Sequence, residues 1–165
     1  MASSLLTRKR DLLYFIFFVI HVPIIFLVDT VPLLPSWLVT DFSHTLREYY
    51  IVNYHDKFFE EAAPAWFTLF TAMELVYHAP LSVWAIGALW RDHPLVPAHL
   101  LVFGVQSFVT SIACLAEVWT WDDRTTSQKQ TLTSLYAPYV ALGGFMALDM
   151  FLRLRGQILG KTKRE

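Results

Sequence analysis

Four stretches of this chain, at about residues 12–34, 65–90, 94–119 and 131–154, are long and apolar and carry very few charges. A helix needs roughly 20 apolar residues to cross the hydrocarbon core of a bilayer, and each stretch meets that length. Helices are the only spanning form that fits, because no strand-length alternation punctuated by turns is present. The expected fold is therefore all-α: a polytopic four-transmembrane-helix bundle forming a single domain over residues 1–165. Composition agrees, since 55% of the residues are hydrophobic and only 16% charged, too few to solvate a soluble domain of this size. A net charge of −1 gives no sign of nucleic-acid binding. The single cysteine, Cys114, excludes an internal disulfide and a cysteine-rich metal site, and reads as a buried thiol. The first run follows Arg8, Lys9 and Arg10, as the core of a signal peptide would. It is too long for one, however, and no small-residue cleavage motif follows it.

The connections differ in character. Residues 35–64 are long, amphipathic and aromatic; residues 91–93 form a tight turn; residues 120–130 are short and polar. In the long loop, Phe42, Leu46, Tyr49, Tyr50 and Asn53 follow near-helical spacing, which predicts short helices capping one mouth of the bundle. An interfacial helix is preferred over a gating lid there. One side of the membrane receives Arg8, Lys9, Arg10, Arg91, Arg153, Arg155, Lys161, Lys163 and Arg164; the other receives only Arg47, Lys57, Arg124 and Lys129. The positive-inside rule then puts both termini in the cytosol and the long loop in the lumen, with residues 155–165 a basic cytosolic tail. Lys161 and Lys163 match a dilysine retrieval signal for the endoplasmic reticulum, although a plain basic flank accounts for them too.

An ionisable group in mid-membrane costs roughly 2.5–3.5 kcal/mol on insertion scales, so it should face the bundle interior. Asp149 precedes Arg153 by four residues, and an i,i+4 pair explains it. Glu117 lies near Trp119 and Trp121, at the level of the headgroups. Asp29 and Glu74 have no such explanation. Asp29 shares a helix face with His21, with Pro23 between them, and Glu74 shares one with His78. Trp66, Phe70, Met73, Tyr77 and Pro80 fall on or beside the stripe of Glu74. The first two spans run antiparallel, so the two acids reach similar depth. Two readings stand side by side. In one, the acids meet in a dry pocket, with Asp29 the anion and Glu74 protonated in support. In the other, each ties two helices together by hydrogen bonds. Span three adds a stripe of Gln106, Ser107, Thr110 and Ser111, read by default as helix-packing glue; span four adds Tyr136, Pro138 and Tyr139. Gly143 and Gly144 suit either a homodimer face or internal packing. Together the spans suit an aromatic-walled pocket for a flat amphiphile with one polar or cationic end.

The ordered strings His21-Val22-Pro23-Ile24 with Asp29, then Asp56, Pro64-Ala65-Trp66-Phe67, Glu74-Leu75-Val76 and Tyr136-Ala137-Pro138-Tyr139 resemble the sigma-2 receptor (transmembrane protein 97) family. That family lies within the EXPERA group, which also holds the emopamil-binding sterol isomerases. The resemblance covers nearly the whole chain and suits a fungal or other non-animal member. It implies residence in the endoplasmic reticulum and binding of sterols and cationic amphiphiles among membrane lipids, with no cofactor and no metal. It also implies that Asp29 contacts a ligand amine, that Glu74 supports it, that Thr110 and Tyr139 line the pocket, and that Asp56 holds structure. The family's pocket glutamine is His78 here, which affects ligand preference.

Three functions follow as expectations. The first is a non-enzymatic sterol-binding protein in sterol homeostasis or trafficking, with Asp29, Glu74, His78, Thr110, Tyr136 and Tyr139 at the ligand and no catalytic residue. The second is a sterol double-bond isomerase, with Glu74, His78 and Glu117 as conceivable actors. The third is a membrane factor for targeting mitochondrial precursor proteins.

Overall fold

The computed structural model describes residues 4–60 and 62–162; Lys163, and the side chain of Lys161, lie outside what is described. The described residues form helices and connecting turns. Helix α1 (Lys9–Ile24) runs on through a π-helical turn, Ile25–Asp29. Then come α2 (Asp41–Tyr54), α3 (Lys57–Glu60), and α4 (Ala65–Met73), which continues through a second π-helical turn, Glu74–His78, into α5 (Ala79–Trp90). Helices α6 (Val96–Val118) and α7 (Thr126–Thr162) complete the chain. Four helical stretches, Lys9–Asp29, Ala65–Trp90, Val96–Val118 and Thr126–Gly160, are long and apolar enough to cross a membrane. Their outward faces are apolar, with Leu13, Ile16, Ile20, Val102, Val109 and Leu148 all exposed. A surface band of that kind belongs against lipid. The protein is thus all-α and polytopic, as the sequence predicts.

The ends of the spans depart from expectation for local reasons. The first span stops at Asp29, because Thr30 turns the chain: both its N–H and its hydroxyl donate to the Ile25 carbonyl, at 2.9 and 2.8 Å. Pro32 follows directly, within a short 3-10 turn. The fourth helix starts before residue 131, on a capping box. Thr125 N–H donates to Gln128 Oε1 at 2.9 Å, and Gln128 N–H donates back to Thr125 Oγ1 at 3.3 Å. Pro138 lies inside α7, and the helix runs on through it.

Helices α6 and α7 cross closely enough that their glycines are obligatory. A Cβ on Gly104 would sit 2.8 Å from the Ala147 nitrogen, and one on Gly143 would sit 2.8 Å from the Phe108 nitrogen. Gly144 lies against the Phe108 ring. Gly104 and Gly143 thus serve the internal crossing. Two apolar cores result. Tyr14, Phe18, Leu89, Leu100, Phe103, Met146 and Met150 fill the end that carries both termini. Phe58, Cys114, Val118, Trp121 and Leu132 fill the other end.

Charge closes the bundle at each end. At the termini end, Asp149 pairs with Arg153 at 2.7 Å, as its spacing predicts. It also accepts from Arg10 at 2.7 Å and from the Tyr14 hydroxyl at 3.0 Å. Asp11 bridges Arg8 and Arg153 at 2.5 and 2.6 Å, and Arg8 reaches Asp92 in the α5–α6 turn at 3.0 Å. At the loop end, α2 and α3 fold over the bundle. His55 takes a left-handed conformation (φ 53°) that ends α2 and turns the chain towards α3. Asp56, fully buried, then accepts from the Tyr50 hydroxyl (2.9 Å), the Tyr136 hydroxyl (2.8 Å) and the Phe58 N–H (3.1 Å). Arg124 adds bonds to the His55 carbonyl and to Glu60.

Asp56 is therefore the knot that ties the cap to α7. Asp56→Ala would leave two tyrosine hydroxyls and an amide without their acceptor, at about 1–3 kcal/mol each. Thermal unfolding of the detergent-solubilised protein should show a loss of about 3 kcal/mol or more. Tyr136→Phe, which removes one bond, should lose about half of that. A loss below ~0.5 kcal/mol for Asp56→Ala would show that the cap is held in another way.

Candidate functional site

Between the two cores lies a cavity of about 400 Å³. Its wall is mainly apolar, with a few polar groups set into it, the usual composition of a small-molecule site. Helix α1 contributes His21 and, through its π-helical turn, Val28 and Asp29. Helix α4 and the second π-helical turn contribute Phe67, Phe70, Thr71, Glu74 and His78. Such turns insert one extra residue into a helical repeat and are frequent at functional sites. Here each acid sits at one end of a π-helical turn: Asp29 closes the first and Glu74 opens the second.

Glu74 Oε1 lies 3.9 Å from His21 Nε2. The charge of Asp29 reaches Glu74. Among the described residues neither carboxyl takes a side-chain hydrogen bond, which separates them from Asp56 and Asp149. Both carboxyls stand in the wall of the one cavity. At the inner end of the cavity, His78 packs 4.4 Å from the Phe103 ring, and His21 stacks on Phe17 at 4.9 Å. Nitrogen Nδ1 of His21 and Nε2 of His78 are buried without a hydrogen-bond partner among the described residues.

Helices α6 and α7 close the far wall. Gln106, Ser107, Thr110 and Ser111 all line the cavity, so the stripe read as packing glue faces the site. Thr110 spends its hydroxyl on its own helix, donating to the Gln106 and Ser107 carbonyls at 3.0 and 3.3 Å. Tyr139 lines the cavity beside His21, with ring centroids 5.9 Å apart. Tyr136 offers its ring to the cavity and its hydroxyl to Asp56. Cys114 is buried, as its apolar surroundings predict, and also touches the cavity.

The structure thus brings His21, Asp29, Glu74, His78, Thr110, Tyr136 and Tyr139 to one cavity. Asp56 stands outside it; burial pushes its carboxyl up from the ordinary value, and the bonds from Tyr136, Tyr50 and the Phe58 N–H oppose this. Glu117, a conceivable isomerase acid, is not on the wall, and neither are Trp66, Met73, Tyr77 and Pro80 of the α4–α5 stripe. The capping helices stand where the sequence predicts them, but their contribution to the cavity lining was not foreseen. Leu46 and Tyr50 of α2 and Phe59 of α3 close the loop end of the cavity. Phe42, Tyr49 and Val52 on α2 are exposed, so an interfacial helix accounts for one face of α2 only. The signal was available: Leu46 and Tyr50 are four residues apart, on one helical face. Among the described residues, no cluster of His, Cys, Asp and Glu is arranged to hold a metal ion.

Comparisons with known proteins agree with this architecture. The model of the EXPERA family (expanded EBP superfamily) matches residues 42–150. "Efficient mitochondria targeting-associated protein 19" of Schizosaccharomyces pombe is 31% identical over 148 residues, covering 87% of this chain and 76% of that protein. Its namesake in Saccharomyces cerevisiae is 24% identical, covering 81% of this chain and 92% of that protein. Human "Sigma intracellular receptor 2" is 26% identical over 166 residues, covering 93% of each. With a matching family model over more than half its length and a bundle that suits it, this chain belongs to the EXPERA family.

Proposed function

We propose that this protein binds a sterol or a cationic amphiphile in its intramembrane cavity and serves sterol or lipid homeostasis and trafficking in the endoplasmic reticulum, with both termini in the cytosol. One observation carries the reading: a mainly apolar cavity of about 400 Å³ with two uncommitted carboxyls, Asp29 and Glu74, in its wall. The apolar wall favours a fused-ring body. The carboxyls give its polar end a fixed acceptor, and two such groups side by side in an apolar setting carry at most one negative charge cheaply. The name of the human relative, an intracellular receptor, fits a ligand-binding role. A dilysine signal at Lys161 and Lys163 would supply the address.

A radiolabelled cationic amphiphile should bind the purified protein and lose about tenfold or more in affinity on Asp29→Asn, the weight of a hydrogen bond to a charged group. Undiminished binding to that variant would remove Asp29 from the ligand.

Two other readings each have an observation behind them. Glu74 beside His21, on the cavity wall, is an acid–base arrangement of the type that alkene isomerisation requires. On the binding-only reading, purified protein incubated with a sterol bearing a ring alkene returns it unchanged. Turnover that Glu74→Gln abolishes would make the protein an isomerase. The names of the two yeast relatives point to efficient mitochondrial targeting. On that reading, crosslinking in isolated endoplasmic-reticulum membranes recovers mitochondrial precursors on this chain, and recovery no greater than on an unrelated four-span protein would dismiss it.

A further inference from the structure

The cavity roof brings a cation to the acidic end of the site. Arg47 lies on α2 between Leu46, which lines the cavity, and Glu48. Its Nη1 donates to the Val28 carbonyl at 2.8 Å, one residue from Asp29, and its guanidinium carbon lies 4.7 Å from the centroid of the Phe59 ring. Burial holds the guanidinium below its usual value, while the carboxylates of Asp29 and Asp56 and the Tyr50 hydroxyl act in the opposite direction. An arginine remains charged in such a setting. Asp56 is already satisfied by two tyrosine hydroxyls and a backbone N–H. Asp29 has no comparable bonds among the described residues, and the charge of Arg47 acts on it. The guanidinium is fixed by a carbonyl and an aromatic face rather than by a carboxylate. It therefore acts on Asp29 through charge and not through a direct bond, and Asp29 stays on the cavity wall.

That arrangement has a consequence for ligand choice. A neutral hydroxyl can donate to Asp29 while Arg47 stays where it is. An ammonium at the same place adds a second positive charge close to the guanidinium, and like charges at such range in a poorly solvated site repel strongly. We propose that Arg47 is the counter-ion of Asp29 and the residue that sets the ligand preference of the cavity, favouring a neutral hydroxyl-bearing amphiphile over its cationic counterpart. This rests on the cavity being a ligand site, and it narrows the class of ligand.

The test uses a matched pair, a 3-hydroxysteroid and the 3-aminosteroid of the same skeleton, against the full-length protein in detergent. Arg47→Gln should raise affinity for the amine about tenfold relative to the alcohol, from the Coulomb energy at moderate effective dielectric. Arg47→Lys should keep the wild-type ratio. An unchanged ratio in Arg47→Gln, or a fall in amine affinity, would overturn the proposal. Should Arg47→Gln fail to fold, Arg47→Met keeps an apolar stem on Phe59 and gives the same comparison. A readout without ligand runs beside it, a double-mutant cycle of melting temperature between Arg47→Gln and Asp29→Asn. Non-additive shifts are expected, and additive shifts would count against the pairing. If wild type and variants bind neither steroid, the ligand-site reading fails, and the cycle still decides whether Arg47 and Asp29 are a pair.

Discussion

A carboxyl group at bilayer depth has no water to solvate it, and the rest of this structure is arranged around that constraint. The chain meets it in three ways. Near the termini, Asp11 and Asp149 are surrounded by arginines from α7 and from the start of the chain. At the loop end, outside the spans, the buried Asp56 is satisfied by hydroxyl and amide donors instead of by a contact cation. In the middle, Asp29 and Glu74 receive neither treatment and face a cavity. The first two arrangements lock the ends of the bundle. The third leaves polar capacity unspent in the wall of a mainly apolar cavity.

Packing explains why a cavity can exist there. Bare-backbone contact between α6 and α7, through Gly104 and Gly143, fixes one pair of helices as a rigid wall. Two apolar cores, one at each end, then hold α1 and α4–α5 against that wall without filling the space between. The π-helical turns fall at the level of the acids, on the two helices opposite the wall. Roofing by α2 and α3 depends on the Asp56 knot, so the group that closes the cavity and the groups that line it are distinct. Tyr136 links them, with its ring on the site and its hydroxyl on the knot.

Much of this was legible in the sequence. Hydrophobic length alone gives the four spans, and the cost of an acid in lipid singles out Asp29 and Glu74. What was not legible depends on long-range geometry. The pairs Arg8–Asp92, Arg10–Asp149 and Asp11–Arg153 join residues far apart along the chain, and no spacing rule reaches across that distance. The stripe Gln106, Ser107, Thr110 and Ser111 has the same pattern whether it faces a helix or a cavity, so its role waited on the position of α7. Gly143 and Gly144 carry the same ambiguity, and the sequence gives no sign of the nearness of Phe108 to both. The start of α7 was readable in principle, since Thr125 and Gln128 have capping-box spacing. The apolar run that begins several residues later masked it.

The central claim, that the space between the two cores takes an amphiphile, is tested most directly by photolabelling. A sterol analogue with a photoreactive group at its polar end would be irradiated with the protein in membranes, and the adducts mapped by mass spectrometry. Adducts confined to Asp29, Glu74, Tyr139 and their neighbours on the cavity wall, and competed by unlabelled sterol, are the predicted result. Adducts spread instead over the lipid-facing residues, such as Ile20, Val102 and Leu148, and insensitive to competitor, would contradict it.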